Sequence, residues 1–406
     1  MNWKHFSPSH VVQPVFGNEN GALSIELTDA ASVGHWECSV PVKAGVTYRF
    51  TAVADVPAKS FNNATMLVTW CKTEDCSKMI QRDYIGFQDK TDGLRCFDET
   101  FKAPEGSNFA VLWCVHKWQK GKAVFCDIKM EEVAEVPPRR VRLATVNIYP
   151  KTERTFAANL AIMEDALKKV CEEKPNLDLI VTPECHTDRM VDLPIVERSE
   201  AIPGGMTFEL CKRYAVQYHV NILANIHELT PEGHVHNTAF VVDRQGKLAG
   251  KYRKVHLTVS EQMLGVIAGD EFNVIDLDFG RLGIAVCWDN WFSESARALR
   301  LNGAELLAFP LAGDGKESHW SKTWSTRSID NSIPMVVCVG DPKCPSAIVD
   351  RDGEWLSSTM EQGGYAFAEI DLNERKRSWW LSVGPADGDP YQLYLAERRP
   401  IAYPQK

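Results

Sequence analysis

Two hydrophobic rhythms divide the chain. Up to about Val136, apolar and polar residues alternate with period two and no stretch carries a helical repeat. Tyr48 and Phe50 share one face of residues 47–54, and Met66, Val68 and Trp70 share one face of 64–70. Residues 109–115 and 123–130 flank Gln119-Lys-Gly-Lys122, which reads as an antiparallel hairpin. One buried face per strand at this spacing predicts an all-β sandwich, jelly-roll-like in pattern.

Residues 131–140 read as a connecting segment, because Pro137 and Pro138 remove ladder donors and favour extended chain. Beyond it the rhythm changes. Residues 141–147 form a strand pattern. Phe156, Leu160, Met163, Leu167 and Val170 then follow at spacings of four and three, which puts them on one helix face. Short apolar strands at 178–182, 220–224, 282–286 and 304–309 alternate with helical stretches, one of them at 206–218. Alternation of this kind predicts a layered α/β domain. The expected organisation is a β-sandwich accessory domain over 1–136, a linker over 137–140, and a catalytic domain with a C-terminal tail over 141–406.

Composition narrows the function classes. The formal charge of the 406 residues is −9, with no basic block, so nucleic acid is not an expected partner. No apolar run approaches the roughly 20 residues of a membrane span, and the first residues lack an apolar signal core, so a cytoplasmic protein is expected. That placement predicts that the twelve cysteines are reduced. Cys71/Cys76 and Cys338/Cys344 are close pairs, but neither has the spacing of a zinc site. His234 and His236 read as part of a polar hairpin rather than as metal ligands. No metal and no cofactor are expected.

Three reactive side chains follow strand patterns, where α/β folds place their sites. Glu184 ends Val181-Thr-Pro-Glu184, Lys254 lies in Tyr252-Arg-Lys-Val-His-Leu257, and Cys287 lies in Gly283-Ile-Ala-Val-Cys-Trp-Asp289. Taken singly they read as a loop acid, a surface cation and a buried thiol. Together, and in this order, these segments resemble the carbon–nitrogen hydrolase (nitrilase) superfamily. Asn237-Thr-Ala-Phe-Val-Val-Asp-Arg-Gln-Gly246 and Gly303-Ala-Glu-Leu-Leu307 extend the likeness, which runs from about 141 to 372.

The resemblance implies a four-layer αββα sandwich, a Glu184-Lys254-Cys287 triad and homodimers or larger homo-oligomers. Its chemistry is coherent. A thiolate is the nucleophile, Glu184 can take the Cys287 proton, and Lys254 with the Trp288 backbone N–H can stabilise the charge that develops on the carbonyl oxygen. Glu261 matches the family's second glutamate. Asp289, Trp291, Trp320 and Trp324 are candidate pocket residues.

No arginine follows Cys287, which lowers an N-carbamoyl amino acid reading, and Asp289 stands where nitrilases typically carry Glu. The expected function is therefore a thiol amidohydrolase that cleaves a small non-peptide amide through a thioester. Nitrile hydrolysis, acyl transfer through the same thioester, and a non-catalytic carbohydrate-binding protein are the alternatives. The expected partner is a small amide or nitrile. Tyr48, Trp70, Trp113 and Trp118 read as core aromatics of the accessory domain rather than a sugar platform.

Overall fold

The computed structural model describes residues 1–56, 63–90, 93–150, 155–313 and 317–403. The chain divides into two units, Met1–Pro137 with Arg375–Lys406, and Pro138–Glu374.

In the first unit, the described residues as far as Val133 form strands and no helix. They build two sheets. One runs Lys4–Phe6, Val33–Pro41, Phe109–Lys117, Ala64–Cys71, Met79–Tyr84, Ala386–Gly388, Ser378–Trp380; the other runs Val15–Glu19, Ala22–Leu27, Gly121–Val133, Thr47–Asp55, Leu94–Lys102, Phe87–Asp89. Phe50 of one sheet meets Trp70 of the other edge to face at 5.9 Å, inside a shared core with Leu112 and Phe125.

Three expectations for this half are corrected. Residues 109–115 and 123–130 are not a hairpin. Phe109–Lys117 pairs with Val33–Pro41 and Ala64–Cys71, whereas Gly121–Val133 pairs with Ala22–Leu27 and Thr47–Asp55 in the other sheet. The short link, with Trp118 at φ 58° and Gly121 at φ 126°, crosses between sheets. Alternation fixed which faces are buried but not which strands are neighbours. The strand Gly121–Val133 also takes up the start of the expected connecting segment. Finally, Cys71 and Cys76 form a disulfide, because the turn after Ala64–Cys71 brings their Cα atoms to 5.2 Å. The other ten cysteines are free.

The C-terminal tail is the largest correction. It was expected with the catalytic domain, yet residues 375–403 belong to the first unit. Ala386–Gly388 adds in parallel to the edge at Gln81–Arg82, and Ser378–Trp380 pairs with it. The physical reason is charge as well as edge pairing. Asp83 is fully buried and accepts from Trp70 Nε1 at 2.9 Å, Gln81 Nε2 at 2.5 Å and Arg377 Nε at 3.2 Å. A buried carboxylate needs such partners, and the tail supplies the cation.

The second unit is an α/β sandwich. One sheet has the order Leu248–Arg253, Val235–Val242, Asn221–Leu229, Leu179–Val181, Arg140–Asn147, Gly364–Asp371. The other has the order Val274–Leu277, Gly280–Ile284, Leu306–Leu311, Met335–Val339, Ser346–Val349, Trp355–Thr359. Each holds two consecutive parallel pairings at its centre. The sheets meet face to face: Thr145 Oγ1 donates to Val337 O at 3.0 Å, and Cys338 Sγ to Val146 O at 2.9 Å.

Helices Phe156–Glu173 and Met206–Tyr218 pack Met163, Leu167, Val170, Phe208 and Cys211 into the core of the first sheet. Helices Ser293–Leu301 and Glu317–Asn331 pack Leu299, Trp320 and Trp324 against the second. Both parallel sets end toward the loops that carry Glu184 and Cys287. Among the described residues no helix is long and apolar enough to cross a membrane.

The tail's role predicts a stability effect. Arg377→Ala leaves the Asp83 carboxylate buried without its cation and is expected to cost about 2 kcal/mol. The urea midpoint of the β-rich unit, followed by near-ultraviolet circular dichroism of its tryptophans, checks this. An unchanged midpoint contradicts the pairing.

Candidate active site

The site is built where three strands end. Leu179–Val181 runs into Pro183 and Glu184; Leu248–Arg253 delivers Lys254; Gly280–Ile284 leads to Cys287. Lys254 is held by its own backbone, which donates from N to Asn237 O at 2.8 Å and accepts from Gly269 N at 2.9 Å. Glycine is required at 269, because a Cβ there would lie 2.2 Å from Arg253 O.

Lys254 Nζ is buried between two carboxylates. It donates to Glu184 Oε1 at 2.8 Å and to Glu261 at 2.9 and 3.1 Å. Glu261 owes its position to local helix chemistry. It is the third residue of the short helix Val259–Met263, in a reciprocal capping box with Thr258. Asn237 Nδ2 donates to Glu184 Oε1 at 2.9 Å and to Glu261 Oε1 at 2.6 Å. Glu184 Oε2 accepts from Ala312 N at 2.8 Å, and the Glu184 carboxylate and the Cys287 thiol line the same cavity, where each acts on the other's ionisation.

These contacts set the resting charges. Burial works against ionising Glu184, but the Lys254 ammonium with its hydrogen bond, the Cys287 thiol and the Ala312 N–H outweigh it and hold its pKa below the ordinary range. Burial likewise disfavours the Lys254 charge, and the neighbouring Glu184, Cys287 and Glu261 raise its pKa well above the usual value. Burial, then the Glu184 charge, pushes the Cys287 thiol well up. The resting site is carboxylate, ammonium and neutral thiol.

Cys287 itself has φ 47°, the left-handed region that costs a non-glycine residue energy. Asp289 holds that turn. Its Oδ2 accepts from Val286 N at 2.9 Å and Tyr252 Oη at 2.7 Å; its Oδ1 accepts from His256 N and Nδ1, both at 2.9 Å. One buried carboxylate thus ties the nucleophile turn to the segment bearing Lys254.

A cavity of about 410 Å³ opens over these groups. Glu184, Lys254, Glu261, Cys287, Trp288 and Trp320 all line it. Asp289, Trp291 and Trp324 do not. Asp289 is fully buried in the staple just described, Trp324 packs in the core beside Trp355, and Trp291 packs 5.0 Å from Trp320. Those three expected pocket residues are supports. His236, in the strand Val235–Val242, donates from Nδ1 to Ile267 O at 2.9 Å and does not line the cavity.

Sequence reasoning missed Asn237, which touches both glutamates, and Arg189, whose Nη1 donates to the Ala312 and Gly340 carbonyls. The available signal for Asn237 was an amide in a strand pattern that continues as Ala239-Phe-Val-Val242. Arg189 gave none.

An α/β sandwich with a thiol, a carboxylate and an ammonium at its strand ends defines a class of hydrolase. The comparisons give the family. The carbon-nitrogen hydrolase family model matches residues 140–378, more than half of the chain, and the chain belongs to that family: it is an enzyme, a carbon–nitrogen hydrolase. A probable nitrilase of Schizosaccharomyces pombe is 31% identical over 249 residues, covering 58% of this chain and 91% of the relative. The omega-amidase of Homo sapiens is 25% identical over 214 residues, covering 48% and 77%. Among solved structures, Nit3 of Saccharomyces cerevisiae, a nitrilase superfamily member, superposes with a TM-score of 0.53 at 24% identity, over 57% of this chain and 90% of that one.

The Asp289 staple yields a prediction. Asp289→Asn offers amide hydrogens to two backbone or side-chain donors whichever way it turns. Expected are a loss of about 2 kcal/mol in stability and a fall of roughly tenfold or more in kcat. Denaturant titration and steady-state kinetics check both; wild-type kcat would remove the positioning role.

Proposed function

We propose that the protein is a thiol amidohydrolase that releases ammonia or an amine from a small non-peptide amide through a thioester on Cys287. The observation that carries this reading is the convergence of three groups: Glu184 accepts from the Lys254 ammonium at 2.8 Å, and both line, with the Cys287 thiol, a cavity sized for a small molecule. Glu184 takes the thiol proton as sulfur attacks the carbonyl carbon. Lys254 and the Trp288 backbone N–H donate to the developing oxyanion. Glu184 returns the proton to the leaving nitrogen, the C–N bond breaks, and the thioester forms. Glu184 then activates a water, which releases the acid and restores the thiol. Glu261 and Asn237 hold Lys254 and Glu184 in register.

Relatives named omega-amidase and N-carbamoylputrescine amidase support amide chemistry, and the relative named a probable nitrilase keeps nitriles in the substrate panel. Solution assembly as a homodimer or larger is part of the proposal, and light scattering at micromolar concentration tests it.

The function is tested by ammonia release across a panel of small amides, nitriles and carbamoyl compounds. Cys287→Ala and Glu184→Gln are each expected to lower kcat by roughly a thousandfold or more with the fold retained. Intact mass is expected to show an acyl adduct on Cys287 with a slow amide. Turnover surviving in Cys287→Ala removes the proposal.

The pH profile is a separate check. Glu184 has a folded pKa below its ordinary 4.5, so its stabilising contribution is complete above that value and is lost as pH falls through the depressed one. The acid limb of kcat/KM is therefore expected below pH 4.5. A limb between pH 6 and 9 would indicate a titrating thiol instead.

A further inference from the structure

The cavity has a second set of reactive side chains that the amidohydrolase reading does not use. Cys185 follows Glu184, and Asp188 comes three residues later in the same turn. His227 lies on the strand Asn221–Leu229, two residues from Asn225 and so on the same strand face. All three line the cavity, all are buried, and one ligating atom from each lies within 4.8 Å of the others.

The arrangement is directional. His227 Nδ1 meets Asp188 Oδ2 at 2.6 Å, which fixes the imidazole and leaves Nε2 facing Cys185 Sγ at 3.9 Å. Carboxylate-held imidazoles of this kind are the usual support for a metal ligand. A zinc ion about 2.3 Å from a thiolate and about 2.0–2.1 Å from an imidazole nitrogen spans a gap of this size at an angle somewhat wider than tetrahedral.

Two further features point to a missing ligand. Asp188 is 1% exposed, and its Oδ1 has no hydrogen-bond partner among the described residues. Among the described residues the Cys185 thiol meets only Asn225 Oδ1, at 3.2 Å, and that distant imidazole.

We propose that Cys185, His227 and Asp188 form a binding site for a borderline-soft divalent cation of the zinc type, with an open coordination position toward the cavity. Metal spacing in the sequence gave no such set, since 185 and 227 come together only through sheet pairing. The chemistry selects the ion. There is one carboxylate, and Arg198 Nε stands 3.9 Å from its Oδ2, so a hard oxygen-seeking ion such as calcium or magnesium lacks ligands. Thiolate and imidazole suit zinc, and cobalt as its spectroscopic substitute. Binding replaces the Cys185 S–H bond with an S–metal bond and releases that proton to solvent; no electrons move. The Cys185 backbone N–H, which donates to Asn225 Oδ1 at 2.8 Å, is left in place.

The test uses the full chain carrying Cys287→Ala, so the nucleophile cannot bind the probe. Cobalt(II) is added and the thiolate-to-cobalt charge-transfer absorption is read, with stoichiometry from equilibrium dialysis. One cobalt per chain is expected, displaced by zinc, with about one proton released. In the same background Cys185→Ser is expected to abolish the charge-transfer band. His227→Gln is expected to weaken binding at least tenfold, as is Asp188→Asn. Circular dichroism verifies the fold, and His227→Gln carries the test if Cys185→Ser does not fold. No charge-transfer band in Cys287→Ala, or a band unchanged by Cys185→Ser or by His227→Gln, overturns the site. None of these readouts depends on amide turnover.

Discussion

The structure of the active site depends on one buried cation. Lys254 is 1% exposed, and an ammonium at that depth is tolerable only with opposite charge and hydrogen bonds around it. Glu184 and Glu261 supply the charge, and Asn237 Nδ2 donates to the Oε1 atoms of both carboxylates, which Lys254 also meets. Each carboxylate is in turn tied elsewhere, Glu184 to the Ala312 amide and Glu261 to the capping box at Thr258. Removing Lys254 leaves two buried carboxylates without their cation. The same electrostatics keeps Glu184 ionised while leaving Cys287 protonated, which is the state a general base and a latent nucleophile require.

Around that cluster, the two sheets act as a frame whose strand ends face a common point. The frame alone does not aim the thiol. Cys287 is in a left-handed conformation, and the turn is held by Asp289, which gathers four donors from residues 252, 256 and 286. Asp289 therefore ties the nucleophile turn to the lysine segment, and the acid beside the cysteine is structural rather than a lining residue of the cavity. Arg189 does comparable work on the far side, where its bonds to the Ala312 and Gly340 carbonyls steady the amide that meets Glu184.

Much of this was legible in the residues themselves. Period-two alternation marked the β half, and the four-three spacing of Leu160, Met163, Leu167 and Val170 marked a helix that the structure contains. Those periodicities are local properties of the chain, set by backbone geometry and by which side must face the core. Glu184, Lys254 and Cys287 were legible as candidates because each follows a strand pattern inside a distinctive segment, and the fold does bring them together.

What tertiary structure decided was who meets whom. The alternation of 109–115 and 123–130 is identical for a hairpin and for strands in opposite sheets, so the sequence could not choose between them. The tail's place beside Asp83 rests on an ion pair between residues 83 and 377, far apart along the chain, which no local pattern records. Tryptophans at 291, 320 and 324 look alike in one dimension, yet only Trp320 reaches the cavity. Asn237 became visible only when both glutamates fell within its reach, and the Cys185–His227 juxtaposition only when adjacent strands paired. By itself, the sequence determined periodicity, and through it the elements and their buried faces. Long-range partners of charged and polar groups were decided by packing, because their free energy depends on burial and on neighbours that exist only in the folded chain.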